Sequence, residues 1–169
     1  MPLLMKWPGT IKPGTTVEKL TQNIDFAPTF LEAAGLPIPS EVQGASLLPL
    51  LKDSNTPWRD ALYYHYYNHG GDGLKPKGEH GVPRHYGIRT DRYKLIHYYT
   101  TDEWELFDFE KDPQELKSEY ANPEYAGVLA ELRAKLAELS KQYAVPEIEI
   151  GKGVTFAPTV TEASSDANE

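Results

Sequence analysis

The sequence predicts an α+β fold: a four-stranded antiparallel sheet covered by a C-terminal helix, preceded by the last strand and helix of an incomplete α/β domain. Three observations predict it. Between residues 61 and 109, four short runs rich in tyrosine, branched and aromatic residues are separated by turn signals. Over residues 123–142, Tyr125, Val128, Leu129, Leu132, Leu136 and Leu139 recur three or four apart, and Tyr143 extends the stripe; it is wide enough to cover one sheet face. Ahead of residue 52, a continuous apolar run and a well-marked helix have the pattern of pieces from a larger, helix-covered sheet.

Taken in order, Pro2 to Trp7 is apolar without alternation and is closed by Pro8-Gly9, so it predicts a strand buried on both faces. Such a strand needs neighbours on either side, and no other segment here has that character. Asp25 as N-cap, Pro28 in the first turn and Gly35 past the end predict a helix. Phe26, Phe30, Leu31 and Ala34 form its apolar stripe, expected to lie on a sheet. Leu47, Leu48, Leu50 and Leu51 make a short buried segment before the polar stretch Lys52 to Arg59.

Strands are predicted at Ala61–Tyr67, His85–Arg89, Tyr93–Tyr99 and Glu105–Phe109, the second and third joined by a tight hairpin at Thr90-Asp91-Arg92. The glycine-rich stretch 68–83 is a long loop of the length that tends to carry function or disorder. Asp112-Pro113-Gln114-Glu115 has the form of a helix start. The boundaries follow as 1–52, the tail of an α/β domain; 53–145, an α+β subdomain; and 146–169, an irregular, partly disordered tail.

The chain of 169 residues carries a formal charge of −8 and no cysteine. Nucleic-acid binding is disfavoured by that charge, and a disulfide framework, thiolate metal site or cysteine nucleophile is excluded. No apolar run reaches the ~18 residues of a membrane span, and the first residues have no signal-peptide pattern. Lys75, Lys77, Arg84, Arg89, Arg92 and Lys94 fall close together, a local basic patch suited to a small anion or simply to a solvated loop. Among the histidines, His80 and His85 flank Arg84 at the end of the long loop. Arginine offers a planar fork for sulfate or carboxylate and histidine donates to sugar hydroxyls, although Arg84 also has Glu79 within reach for a surface pair. A zinc set of His65, His69, His80 and His85 is a weaker alternative, since His65 and His69 stand four apart on a strand and loop rather than a helix. His97 reads as a packed or rim histidine.

Three segments resemble, in order, the C-terminal portion of the sulfatase family, the formylglycine-dependent sulfuric ester hydrolases of the alkaline-phosphatase superfamily. They are Pro2-Leu3-Leu4-Met5-Lys6-Trp7-Pro8-Gly9; Asn23 to Leu36 with Gln43 to Leu51; and Arg84 to His97 with Glu105-Leu106-Phe107-Asp108 and Asp112-Pro113. The resemblance spans residues 2–145. It implies that the first segment belongs to an alkaline-phosphatase-like catalytic domain and the last to its small subdomain. It also implies a parent that hydrolyses sulfate esters on a sulfated glycan, with calcium and formylglycine in a missing N-terminal part. Such a parent is expected to be periplasmic or secreted. No catalytic or metal residue of the family has a counterpart here: there is no cysteine and no Ser-x-Pro-x-Arg motif. His80, Arg84 and His85 are then the expected substrate contacts, with the sulfated carbohydrate and the N-terminal catalytic domain as partners. Two other classes remain: a stand-alone glycan-binding or interaction module, and a phosphatase or phosphonate hydrolase of the same superfamily.

Overall fold

A computed structural model describes residues 3–67 and 82–148 of the chain. The strands are β1 (Ala61–Tyr66), β2 (His85–Thr90), β3 (Tyr93–Tyr98) and β4 (Glu103–Asp108), an antiparallel meander in the order β1-β2-β3-β4. Each begins or ends within two residues of its expected bounds. Between β2 and β3, Asp91 and Arg92 form the turn, and Thr90 Oγ1 accepts from Tyr93 N at 2.9 Å to close it. Tyr63, Ile88, Leu95 and Leu106 stand opposite one another across the strands and are buried together.

Helix α3 (Ala126–Gln142) covers that row, placing Leu132 and Leu136 in the same core, with Val128, Leu129, Leu139 and Tyr143 packed around it. A single 3₁₀ turn, Pro123–Tyr125, precedes it, and Asn122 Oδ1 accepts from Glu124 N at 3.1 Å as its cap. The helix closes with Val145 N on Ser140 O at 2.9 Å and Ala144 N on Lys141 O at 3.1 Å, a Schellman arrangement. The left-handed position of that motif is Ala144, at φ +47°, where glycine is the unstrained choice.

Helix α1 (Phe26–Ala33) ends in the same motif with Gly35 at φ +70°. Its beginning departs from expectation. Asp25 does not cap α1 with its side chain; the carboxylate turns away to accept from Gln22 N at 2.8 Å, Ala45 N at 3.0 Å, and both Arg59 guanidinium nitrogens at 2.7 Å. A buried anion requires this many donors, and an N-cap geometry would have used only one or two of them. Thr29 continues the knot by donating to Asp25 O and accepting from Leu47 N, which leads into α2 (Leu48–Lys52).

Three further expectations are corrected. Residues 3–7 form no strand, since no neighbouring strand lies beside them among the described residues. The stripe of α1 is not laid on a sheet: Phe30 is 65% exposed, and the helix buries Pro28 and Thr29 instead. The Asp112–Glu115 stretch forms turns and not a helix, because Glu115 adopts φ +56° and its carboxylate reaches back to Lys94 Nζ at 2.5 Å, while Asp112 Oδ2 accepts from Lys117 N at 2.9 Å.

Gly87 is a position of close approach: a Cβ there would lie 2.6 Å from Tyr64 Oη and closer still to the Leu95 carbonyl oxygen. Gly87→Ala should therefore lower the unfolding midpoint, and Leu106→Ala should destabilise by about 2–5 kcal/mol through loss of a wholly buried side chain. Ala144→Gly should act in the opposite sense, stabilising by up to ~1 kcal/mol as the left-handed strain is relieved. Urea titration of the three variants measures all of these.

Candidate functional site

Antiparallel register gathers the chemically active side chains at one end of the sheet. Tyr66 stands opposite His85, Tyr86 opposite His97, and His97 opposite Trp104. His65, His85 and His97 therefore lie at the end remote from the Ala61–Thr90 pairing that adjoins residues 20–59. Alternation along the strands then divides them between two faces.

On the α3 side, His65 is held between two phenols, Tyr63 Oη at 3.0 Å from Nδ1 and Tyr99 Oη at 3.3 Å from Nε2. Tyr67 stacks on it at 3.6 Å between ring centroids. Burial, with the nearby His85, pulls the His65 pKa down to about 4, so the ring is neutral at neutral pH. Beside it, buried His97 lies flat on Trp104 with centroids 4.0 Å apart. Its Nε2 contacts Asp102 Oδ1 at 2.8 Å and its Nδ1 contacts Tyr86 Oη at 2.9 Å. An anionic carboxylate accepts only, so Nε2 carries the proton and Tyr86 donates to Nδ1 in the neutral ring.

The Tyr86–His97–Asp102 chain has the connectivity of a proton relay. Burial lowers the His97 pKa despite Asp102, and burial together with the Asp102 charge raises that of the Tyr86 hydroxyl, so this hydroxyl is a donor and not a nucleophile. The relay fixes ring orientation in the core.

His85 lies on the other face. Its Nδ1 donates to the Pro83 carbonyl at 2.8 Å, which leaves Nε2 as the acceptor of a neutral ring. Tyr66 stacks on it and Tyr98 leans across it, both at 5.3 Å between centroids, with Tyr64 edge-on at 6.0 Å. Tyr98 donates to Glu105 Oε2 at 2.9 Å, and burial with that contact pushes its pKa up to about 12.

Of the expected substrate contacts, His80 lies outside the described residues, as do His69, Lys75 and Lys77, most of the 68–83 loop and positions 149–169 of the tail. Arg84 and His85 are described: Arg84 stands just ahead of β2, where its charge acts on Tyr99, and His85 opens the strand and packs among Tyr64, Tyr66 and Tyr98. Arg84 Nε is buried with no hydrogen-bond partner among the described residues. Register puts His85 opposite Tyr66 and His65 opposite Tyr86, so His65 and His85 stand on opposite faces and are separated as common metal ligands.

Two cations of the basic patch are ion-paired within the fold and a third rests on a ring. Arg92 pairs with Asp108 at 2.8 Å, Lys94 with Glu115, and the Arg89 guanidinium lies 4.1 Å over the Phe109 ring. Sequence reasoning did not anticipate the phenol clamp on His65 or the aromatic walls of His85. Alternation within β1, which puts Tyr63 and His65 on one face, and the β1–β2 register, which sets Tyr66 opposite His85, are the signals that would have found them.

A helix-backed antiparallel meander with an adjoining α-helical segment is shared with solved hydrolases of the alkaline-phosphatase fold. Among these the chain belongs to the sulfatase family: residues 1–142 match the model for the C-terminal region of N-sulphoglucosamine sulphohydrolase. An N-acetylglucosamine-6-O-sulfatase of Bacteroides thetaiotaomicron is 48% identical over 147 residues, which are 85% of this chain and 25% of that protein. An arylsulfatase of Clostridium perfringens is 31% identical over 130 residues, 74% of this chain and 24% of that one. A protein solved in complex with its substrate D-glucosamine-2-N,6-O-disulfate superposes with a TM-score of 0.75 at 45% identity, covering 82% of this chain and 28% of its own. A phosphonate monoester hydrolase from Silicibacter pomeroyi superposes at 0.67 with 26% identity, covering 82% of this chain and 28% of its own. The chain thus spans about a quarter of the length of the curated relatives it matches.

Calcium and formylglycine do not fit the residues of this chain. It contains no cysteine, and among the described residues no group of three or more His, Asp or Glu side chains is placed to hold a metal ion.

Both core histidines carry pKa values below the ordinary 6.5, so the unfolded chain takes up protons first as pH falls. Stability is then full above about pH 6.5 and declines toward pH 4, the value at which folded His65 titrates. His65→Asn should flatten this slope, as measured by urea unfolding between pH 7 and pH 5.

Proposed function

We propose that this chain is the substrate-side part of a sulfatase acting on a sulfated amino sugar of a glycan. Residues 1–52 form the closing segment of its catalytic domain, and residues 53–145 form the subdomain that shapes the sugar pocket. One observation carries the reading: 48% identity to an N-acetylglucosamine-6-O-sulfatase, sustained over 85% of the chain. Arg84, His85 and His80 are the proposed sugar contacts. Arg84 brings a cation to the anionic substrate, His85 a ring oriented by its contact with the Pro83 carbonyl, and the flanking tyrosines offer faces for sugar C–H groups.

The uncovered apolar surface supports a large partner. Leu4 is 93% exposed, Leu3 45% and Phe30 65%. Leu3, Leu4, Met5, Phe26 and Phe30 line a groove of about 450 Å³ beside α1, where the catalytic domain would supply the missing sheet. A phosphonate hydrolase is the second reading, favoured by the Silicibacter pomeroyi neighbour, though at 26% identity against 48% for the sulfatase.

The intact enzyme should release sulfate from glucosamine 6-sulfate and leave a phenylphosphonate monoester untouched; the reverse preference would establish the second reading. Arg84→Gln should raise the KM for the sulfated sugar about 10–100-fold, the cost of one lost charge-assisted contact. The isolated chain should bind a hydrophobic dye through the Leu3–Leu4–Phe30 surface and hydrolyse neither substrate.

A further inference from the structure

We propose that Asp25 and Arg59 are positioning residues for sugar turnover: their buried ion pair sets the angle at which the sheet presents its aromatic–histidine end to the substrate. The proposal rests on the reading of the chain as the sugar-side part of a sulfatase.

Asp25 is fully buried, and its carboxylate is fixed from two directions by backbone donors, Gln22 N and Ala45 N. The Arg59 fork meets it with two bonds of 2.7 Å, so both the distance and the plane of the guanidinium are dictated. Arg59 lies two residues ahead of β1. On one side of it Trp58 Nε1 donates to Leu20 O at 2.8 Å, and on the other Gln22 Nε2 donates to Tyr63 O at 2.6 Å. Strand β1 is therefore held at its root by three contacts, all directed onto residues 20–25.

Stability is a poor explanation for such a pair. A buried ion pair costs so much desolvation that an apolar replacement is often neutral or stabilising. A bidentate fork instead gives orientation, and here orientation has leverage. His65, Tyr67 and the Tyr66–His85 pair stand at the far end of β1, roughly 20 Å from the root at ~3.3 Å per residue. A rotation of about 3° at the root moves that end by about 1 Å, a displacement that costs up to about 100-fold in turnover when it misplaces a bound substrate.

The test uses the intact enzyme with two variants, Arg59→Lys, which keeps the charge but removes the fork, and Trp58→Phe, a milder change at the same root. Turnover of glucosamine 6-sulfate is compared with competitive inhibition by inorganic sulfate, which reports on the sulfate-processing centre alone. For Arg59→Lys the expected result is a 10–100-fold fall in kcat/KM for the sugar, with the sulfate Ki within about twofold of the parent value. Trp58→Phe should show the same split with a several-fold fall, and it decides the matter alone if Arg59→Lys does not fold. Parallel losses in both readouts would mark the pair as merely structural, and unchanged sugar turnover in the folded variants would also overturn the proposal. Failure of the parent enzyme to desulfate the sugar is a separate result, and it would overturn the functional reading instead.

Discussion

A single row of side chains fixes this structure: Tyr63, Ile88, Leu95 and Leu106, one from each strand, buried together beneath α3. Side chains alternate with a period of two, so a one-residue slip in any pairing would expose a member of the row and bury its polar neighbour. The four strands are therefore locked in register by hydrophobic burial, and every other placement follows by counting from the row. Two residues beyond Tyr63 lies His65, on the same face; two residues beyond Leu95 lies His97, also on that face. His85 is three residues before Ile88 and must face away. The chemistry of the two faces is thus a consequence of core packing.

The opposite end of the sheet is governed by polar contacts. Asp108, buried at the end of β4, accepts from Arg92 Nε at 3.0 Å, Arg92 Nη2 at 2.8 Å, Tyr125 Oη at 3.0 Å and Glu110 N at 3.1 Å. Its Arg92 contacts hold the carboxyl below its ordinary pKa against the opposing effect of burial. The β2–β3 turn, the exit of β4 and the start of α3 meet at this one anion. With the Asp25–Arg59 knot close to the root of β1, the sheet has an end fixed by satisfied buried charges and an end lined with aromatic rings and histidines.

Local pattern made much of this legible. Branched and tyrosine-rich runs gave the four strands, and the three-and-four spacing from Tyr125 to Leu139 gave α3 with its buried face, because both signals arise from the burial that forms these elements. Asp25 was misread for a physical reason: an aspartate ahead of a helix has the same sequence signature whether it caps that helix or receives an arginine 34 positions away. The Asp112–Glu115 stretch failed similarly, since Lys94 offered Glu115 an ion pair that no capping rule counts. For Pro2–Trp7, composition reports a segment's affinity for a buried sheet, but only neighbouring strands can make it one. At the candidate site, residue types were readable and grouping was not. His85 sits between Arg84 and Tyr86 in sequence, yet its ring neighbours are Tyr64, Tyr66 and Tyr98, brought from β1 and β3 by the register of the sheet.

The resemblance of this fold to both a sulfatase and a phosphonate monoester hydrolase bears on how it contributes to function. A scaffold shared by enzymes that cleave different esters cannot be what selects sulfur over phosphorus. Within this chain, the groups at the aromatic end are suited to a sugar and not to bond cleavage: His65 is neutral, and the Tyr86 and Tyr98 hydroxyls are pushed away from ionisation. None of these is poised as a base or nucleophile at neutral pH, whereas each can exchange hydrogen bonds with hydroxyls or offer an aromatic face. On the proposed reading, evolution of sugar preference would act on the less buried Tyr66, Tyr67, Arg84 and His85 without disturbing the reaction centre, because the buried row and the two charged knots hold the fold independently of them. On that reading, separating the residues that fold the sheet from those that meet the sugar would let one small meander serve hydrolases of different specificity.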